Sequence, residues 1–437
     1  MEPITIGILG IVMLFALMGI GVHIAIALIV SSLAGLWMLD VSNILPLLGT
    51  SIFSFTWVYE FTALPLFILM SVFALRAGLA EAAYNAIYKW VQKIPGSLAI
   101  ATTYGCAVLG AVSGSSMAVS AVFGRISLPI MQKYGYSKSL SLGCVAAAGT
   151  FACMIPPSGL FIVYGIFTET SIGRLFLAGV IPGLITAIVY SASIIIRVKR
   201  NPELAPQSDE ADFTFKEKLG SLNDIWPTLV LVVTVLGGIY SGLFTVTEGA
   251  AVGCVGTFLY GLLARGYKAF DVFGALRETA GTTSMTFLII VSALFFARFL
   301  QLTHLPVEVA ESIANLNMPR EMIILGIFAM YFVLGMMLVP SGMMAVTLPV
   351  VFPIVLELGY SPIWFGVIIM KASEIAAVTP PVGLNVYVLK GVAGKSVSLE
   401  EIFKGIWPFV TCDIVVLIML ITFPQLCLWL PDLVMGN

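Results

Sequence analysis

The chain has 437 residues, of which 59% are hydrophobic and only 10% charged, with a formal net charge of −2. So few charges cannot solvate the surface of a water-soluble domain, and a balance this close to zero excludes a nucleic-acid partner. Apolar runs of about 20 residues recur from end to end, which sets the class as an all-α polytopic protein of the lipid bilayer.

In chain order, Ile4 to Leu39 is one apolar stretch about twice the usual spanning length, with Gly19-Ile20-Gly21-Val22-His23 at its middle. Two short spans meeting there and one long broken helix both fit. The stretch lacks a basic leader and is too long for a cleaved signal, so it is expected to stay in the mature protein. Val41 to Tyr59 is aromatic and suits the membrane interface. Phe61 to Leu75 spans and ends at Arg76, and Leu79 to Lys93 has the charge pattern of a helix lying along the surface. Ser97 to Val112 and Met117 to Gln132 are marginal for crossing. The knot between them, Ser113-Gly114-Ser115-Ser116, is a poor helix interior, so a re-entrant hairpin is expected. Ser139 to Ile155 enters the membrane and meets Pro156-Pro157-Ser158-Gly159, where two missing amide donors should unwind the helix.

Leu175 to Ile196 spans and ends in Arg197, Lys199 and Arg200, and Asn201 to Leu219 is a hydrophilic linker. Two spans follow, Trp226 to Tyr240 and Glu248 to Ala264, then a basic surface segment from Arg265 to Arg277 and a span from Thr282 to Leu300. Met322 to Leu356 reads as a second hairpin broken at Pro340-Ser341-Gly342. Ile363 to Leu389 is a helix broken at Pro380-Pro381, and Ile406 to Leu430 is the last span.

The second half repeats the first. Leu128-Pro129-Ile130, Gly135-Tyr136-Ser137 and Pro156-Pro157-Ser158-Gly159-Leu160 return as Phe352-Pro353-Ile354, Gly359-Tyr360-Ser361 and Pro380-Pro381-Val382-Gly383-Leu384, with Ala148 and Ala152 returning as Ala372 and Ala376. The polar knots align only after a gap of about one helical turn. Basic residues flank the linker, which places that side in the cytoplasm. Arg76, Lys89, Lys93, Lys133, Lys138, Arg265, Lys268, Arg277, Lys390, Lys395 and Lys404 then fall on the same side, and Arg320 opposite. The first hairpin has its base inside and the second outside, so the repeat is expected to be inverted.

Inverted repeats with paired broken helices are built for secondary transport. Backbone freed from a helix inside a membrane must line a hydrated cavity, where carbonyls and hydroxyls coordinate a small hard cation and half-helix N-termini favour an anion. Symmetry gives two sodium sites. Ser113, Gly114, Ser115, Ser116, Pro156 and Gly159 would form one. Ser341, Gly342, Thr379, Pro380 and Gly383 would form the other, with a substrate between them at Ser116, Ser158 and Asn385. The alternative is a set of kinks that serve packing alone. Lys371 and Glu374, three apart, read either as a mutual ion pair or as a support for the cation site and substrate. Arg125 and Arg298 either snorkel or reach substrate.

Other chemistries are absent from the pattern. Six cysteines are scattered without a CxxC pair, and His23 and His304 stand far apart, so no metal or redox centre is expected beyond Na⁺ as coupling ion. Gly391 to Ser396 resembles a phosphate loop, but Leu389 replaces its first glycine, so no ATP is expected. No nucleophile–base pair points to an enzyme.

The combination of Ser113-Gly114-Ser115-Ser116, Pro156-Pro157-Ser158-Gly159, Leu177-Ala178-Gly179-Val180-Ile181-Pro182-Gly183 and Thr379-Pro380-Pro381-Val382-Gly383-Leu384-Asn385 resembles the large membrane subunit of TRAP transporters, the DctM-like family. His23 departs from an expected proline and Ala377 from an expected glycine. The resemblance implies Na⁺-coupled uptake of an organic acid across a bacterial inner membrane. It also implies a periplasmic substrate-binding protein, a small four-helix membrane subunit and an elevator motion. A stand-alone ion-coupled anion transporter of the same superfamily is the alternative. On the elevator view, 97–172 and 321–391 form the transport repeats. Residues 1–96 and 173–280 form scaffold and arms, around Leu79–Lys93 and Arg265–Arg277, with 281–320 as span and connector and 392–437 as the C-terminal span.

Overall fold

The computed structural model describes residues 2–206, 213–266, 270–314, 318–336, 338–380, 383–394 and 397–436. Among them there are helices and turns and no strand. In the first half the helices are α1 Pro3–Gly19, α2 Ile24–Met38, α3 Ile44–Thr56, α4 Ala63–Ala77, α5 Leu79–Val91, α6 Ser97–Ser113, α7 Ser116–Lys133, α8 Lys138–Phe151, α9 Gly159–Thr168 and α10 Ile172–Arg200. The second half holds α11 Phe215–Tyr240, α12 Val246–Arg265, α13 Val272–Leu302, α14 Leu305–Ala314, α15 Arg320–Gly335, α16 Pro340–Glu357, α17 Pro362–Val378, α18 Leu384–Ala393, α19 Leu399–Thr422 and α20 Gln425–Met435. Seven helical segments among the described residues are long and apolar enough to cross a membrane, or eight if α8 and α9, bent by 43°, count as one span.

Local signals set the boundaries. Ser115, Ser137, Ser171 and Ser361 accept hydrogen bonds from amides in the first turns of α7, α8, α10 and α17, and Thr214/Glu217, Thr245/Glu248 and Ser398/Glu401 form capping boxes. His23 caps α2 through Nδ1, 3.4 Å from the Ala25 amide, so the first apolar stretch is two helices packed on each other. Three other expectations change. α11 begins at Phe215, inside the segment read as linker. The segment from Arg265 to Arg277 is not a separate surface helix, because Asp271 caps one continuous helix from Val272 to Leu302. The short helix that follows α13, α14, stands where α5 stands after α4. Lys268, Lys395 and Ser396, like Pro381 and Val382, lie outside the described residues.

Helix starts echo the sequence repeat. α16 and α17 begin 224 residues after α7 and α8, as Pro353 follows Pro129, and α12, α14, α15 and α19 trail α2, α5, α6 and α10 within three residues of that spacing. The duplication therefore takes in the flanking helices. The buried apolar residues form two large clusters that cross the halves. One joins α6, α7 and α8 to α18, and the other joins α15, α16 and α17 to α9 together with α1, α2, α4, α12 and α13. Tyr164 on α9 packs edge-on against Phe352 on α16 at 6.4 Å and donates a hydrogen bond to the Pro362 carbonyl at 2.6 Å. In the mirror contact, a Cβ on Gly124 of α7 would lie 2.9 Å from Leu389 of α18. α10 and α19 pack against the broken helices α8 and α17, so the boundary expected at residue 173 divides helices that pack together.

From Leu140 to Phe151, α8 is buried on every face, which only small residues allow. At Gly143 an added Cβ would run into the Gly405 backbone carbonyl of α19, whereas at Gly391 on α18 it would meet open space. Gly143→Val is expected to lower stability by about 1–3 kcal/mol, because backbone cannot yield as a side chain does. Gly391→Ala should leave the melting temperature unchanged or raise it slightly. Thermal unfolding of the purified variants checks both.

Candidate functional site

The first hairpin tip and the first helix break meet. α6 ends at Ser113, Gly114 turns the chain with φ +59°, and Ser115 is extended and caps α7. A Cβ on Gly114 would stand 2.8 Å from the Pro157 carbonyl oxygen and 3.1 Å from the Gly159 amide nitrogen. Glycine is thus required twice, for the left-handed turn and for the close approach. On the facing side, α8 gives way to a short 3₁₀ turn over Ala152–Met154, Ile155 and Ser158 are extended, and α9 starts at Gly159. The Cys153 thiol donates to the Gly114 carbonyl at 3.5 Å. Two helices, α6 and α8, therefore end here and leave their last carbonyls outside the helical ladder, and two, α7 and α9, begin here and leave their first amides outside it.

The hydroxyls at this junction carry the signal. Ser113 and Ser158 are buried, at 7% and 0% exposure, and neither Oγ has a hydrogen-bond partner among the described residues. Nearby, Ser71 of α4 sits 2.7 Å from the Ser113 carbonyl, 3.0 Å from that of Val112 and 2.7 Å from the Phe67 carbonyl of its own helix, so one hydroxyl proton is shared between α4 and the end of α6. Ser116 is half-buried at the start of α7. Pro156, expected in the same set, is buried in the break.

The second half is built alike, with one difference. α17 ends at Val378, Thr379 is extended and its hydroxyl donates back to the Ile375 carbonyl at 2.5 Å, and Gly383 takes φ +62° before α18. Pro380 stands in the turn after Thr379. Asn385, one residue into α18, is 1% exposed, and both of its amide atoms lack a partner. Each hairpin sets a glycine on the repeat-equivalent alanine of its broken helix, Gly110 on Ala152 and Gly335 on Ala376. Ser341 and Gly342, however, lie past the tip, in the first turn of α16 behind Pro340. Gly342 faces Ile24 of α2, where a Cβ would meet Cδ1 at 2.6 Å. The sequence knots misalign by a turn for this reason: the second one belongs to a helix start.

Lys371 and Glu374 do form an ion pair, but the closer partner of Lys371 lies on another helix. Lys371 is fully buried and binds Asp413 of α19 at 2.7 Å and the Thr186 hydroxyl of α10 at 3.1 Å, with Glu374 only at 3.6 Å. Tyr190 donates to the other Asp413 oxygen at 2.6 Å. Asp413 was missed because it lies in a span read as uniformly apolar, where a lone carboxylate was itself the signal. Arg125 is exposed on α7, and no hydrogen bond or ion pair to it is found among the described residues. Arg298 lines a cavity of about 1060 Å³ with Glu60, Glu169, Ser171, Thr245 and Gln301, at the starts of α10 and α12 and away from both breaks.

Residues 11–426 match the profile of the Tripartite ATP-independent periplasmic transporter, DctM component. The chain belongs to this family. The DctM chain is 33% identical to the C4-dicarboxylate TRAP transporter large permease protein DctM of Vibrio cholerae, over 97% of each chain. It is 32% identical to the isethionate TRAP transporter permease protein DctMQ of Oleidesulfovibrio alaskensis, over 93% of this chain and 63% of that one. In fold it is similar to the YdaH transporter of Alcanivorax borkumensis, with a TM-score of 0.64 at 15% identity over 90% of each chain. The DctM family is a transporter component.

The Lys371–Asp413 pair gives a direct test. Asp413→Ala leaves an ammonium buried with one distant carboxylate and should cost about 3–5 kcal/mol. Lys371→Met combined with Asp413→Leu removes both charges and should recover most of that loss. Unfolding of the single and double variants measures it.

Proposed function

We infer that this chain is the large transmembrane subunit of a Na⁺-coupled, ATP-independent importer of a small organic acid in the cytoplasmic membrane of a bacterium. The observation that carries the reading is the first tip seated on the first break, with the Ser113 and Ser158 hydroxyls buried and unpartnered. A monovalent cation is what such a place lacks. It takes carbonyls from the ends of α6 and α8 and the serine hydroxyl oxygens, and those hydroxyls have no other partner among the described residues. The ends of α15 and α17 offer the second site, with Thr379 and Gly383 as its nearer members.

The starts of α7, α9, α16 and α18 present amides at the same two places, and their positive dipole ends favour an anion between the cations. Asn385, Ser116 and Ser158 supply neutral hydrogen bonds to it. A carboxylate or sulfonate fits this chemistry, in keeping with relatives named for C4-dicarboxylates and isethionate. α6 to α10 and α15 to α20 move as one body against α1, α2, α4 and α11 to α13, and the inverted repeat lets that body open to either side in turn. A periplasmic binding protein delivers the acid, and a small membrane subunit covers part of the apolar scaffold.

Sodium binds before substrate and orders the tips. At a concentration a hundredfold above its dissociation constant it should stabilise the purified chain by about 2.7 kcal/mol. Melting curves in Na⁺, K⁺ and choline at constant ionic strength check this. A sodium-specific rise, reduced in Ser113→Ala and Ser158→Ala, is expected; equal curves in all three salts count against sodium.

A further inference from the structure

Charges inside the bundle do not cancel. Lys371, Glu374 and Asp413 are 0%, 3% and 1% exposed, two carboxylates to one ammonium. Asp413 is fully served, with Lys371 on one oxygen and Tyr190 on the other. Glu374 is not. The ammonium forms only a long ion pair with it, at 3.6 Å, and neither carboxylate oxygen has a partner in hydrogen-bond geometry among the described residues. An ionised carboxylate left in this state inside a membrane protein is among the costliest arrangements available, and a proton or a cation relieves it.

Its position says which event relieves it. α17 packs on the 3₁₀ turn Ala152–Met154 that leads into the first break. The Met154 amide and the Cys153 thiol interact electrostatically with Glu374, and Cys153 in turn binds the Gly114 carbonyl of the tip. Glu374 therefore stands behind the first tip-plus-break junction, where a positive charge arriving at the junction is felt directly. The titratable and charged groups facing it are Lys371 on its own helix, Asp413 of α19, Tyr190 of α10 and Cys153; Lys371 lies closer to Asp413, at 2.7 Å, than to Glu374, at 3.6 Å.

We propose that Glu374 is the proton site of this transporter, holding a proton while the first cation site is empty and releasing it when the cation binds. The proposal rests on the sodium reading of that site. In the exchange the carboxyl O–H bond breaks, the proton leaves to water, and the incoming Na⁺ replaces its charge, so the buried cluster keeps the same net charge throughout. Cation binding is then favoured at higher pH and opposed by protons, and the chain does not pass through a state with Glu374 bare.

The test is the apparent Na⁺ affinity of the purified chain across mildly acid to mildly alkaline pH, read from thermal shifts, together with infrared spectra in sodium-free and sodium buffer. Wild type should gain about tenfold in affinity per pH unit while one proton is displaced per ion, and Glu374→Gln should show no pH dependence. A protonated-carboxyl band should be present without sodium, vanish on its addition, and be missing in the variant. A flat wild-type profile overturns the proposal whatever the variant does, and so does a band that persists in sodium. Sodium failing to bind at any pH overturns the sodium reading instead. The sodium-free band then decides the proton alone, its presence in wild type supporting Glu374 protonation and its absence refuting it.

Discussion

Everything in this structure turns on backbone polar groups that have been released from helices inside an apolar protein. A continuous helix satisfies itself and can sit anywhere in a bilayer. Four interrupted ones cannot, and each interruption strands carbonyls on one side and amides on the other. The fold answers by bringing interruptions together. Gly114 has no Cβ because the Pro157 carbonyl occupies that space, and Ser71 of α4 lends its hydroxyl to the end of α6. At the breaks themselves the Ser113 and Ser158 hydroxyls and the Asn385 amide stay without a partner among the described residues.

Holding those breaks in place takes an unusually rigid body, and two devices supply it. Small residues let helices approach to backbone contact, as at Gly143 against Gly405. The second is ionic. The Lys371–Asp413 pair with Tyr190 and Thr186 fastens α17 to α19 and α10, deep inside, where breaking it strands a charge. A different clamp ties α4 to the start of α13. Arg76 at the end of α4 reaches Asp271 and Glu278, and the Gly274 amide together with Arg76 holds the Asp271 carboxyl below its usual range. Arg265 adds a bond to the Ala77 carbonyl at 3.4 Å.

Much of this was legible in the sequence, and the limits are physical. Proline pairs and glycine–serine knots remove donors or helix propensity outright, so the first break and the first tip fell where they were read. Helix ends with serine or threonine caps were equally open to reading. The continuity of α13 was hidden because its basic start resembles a surface segment, and only packing shows that the helix runs through. Pro340-Ser341-Gly342 misled because proline at the first position of a helix is permitted as readily as proline at a break. Glu374 and Lys371 were found as charges in a span. The partner of Lys371, Asp413, lies 42 residues away, a separation no local pattern reports.

The account stands on coupling between a sodium gradient and substrate movement through these breaks. Its most direct measurement is uptake of a radiolabelled organic acid into proteoliposomes holding this chain with its small subunit, with the binding protein outside. An inward Na⁺ gradient should drive accumulation without ATP, and collapsing that gradient with a sodium ionophore should abolish it. Accumulation that proceeds equally in potassium, or that survives the ionophore, would contradict the account.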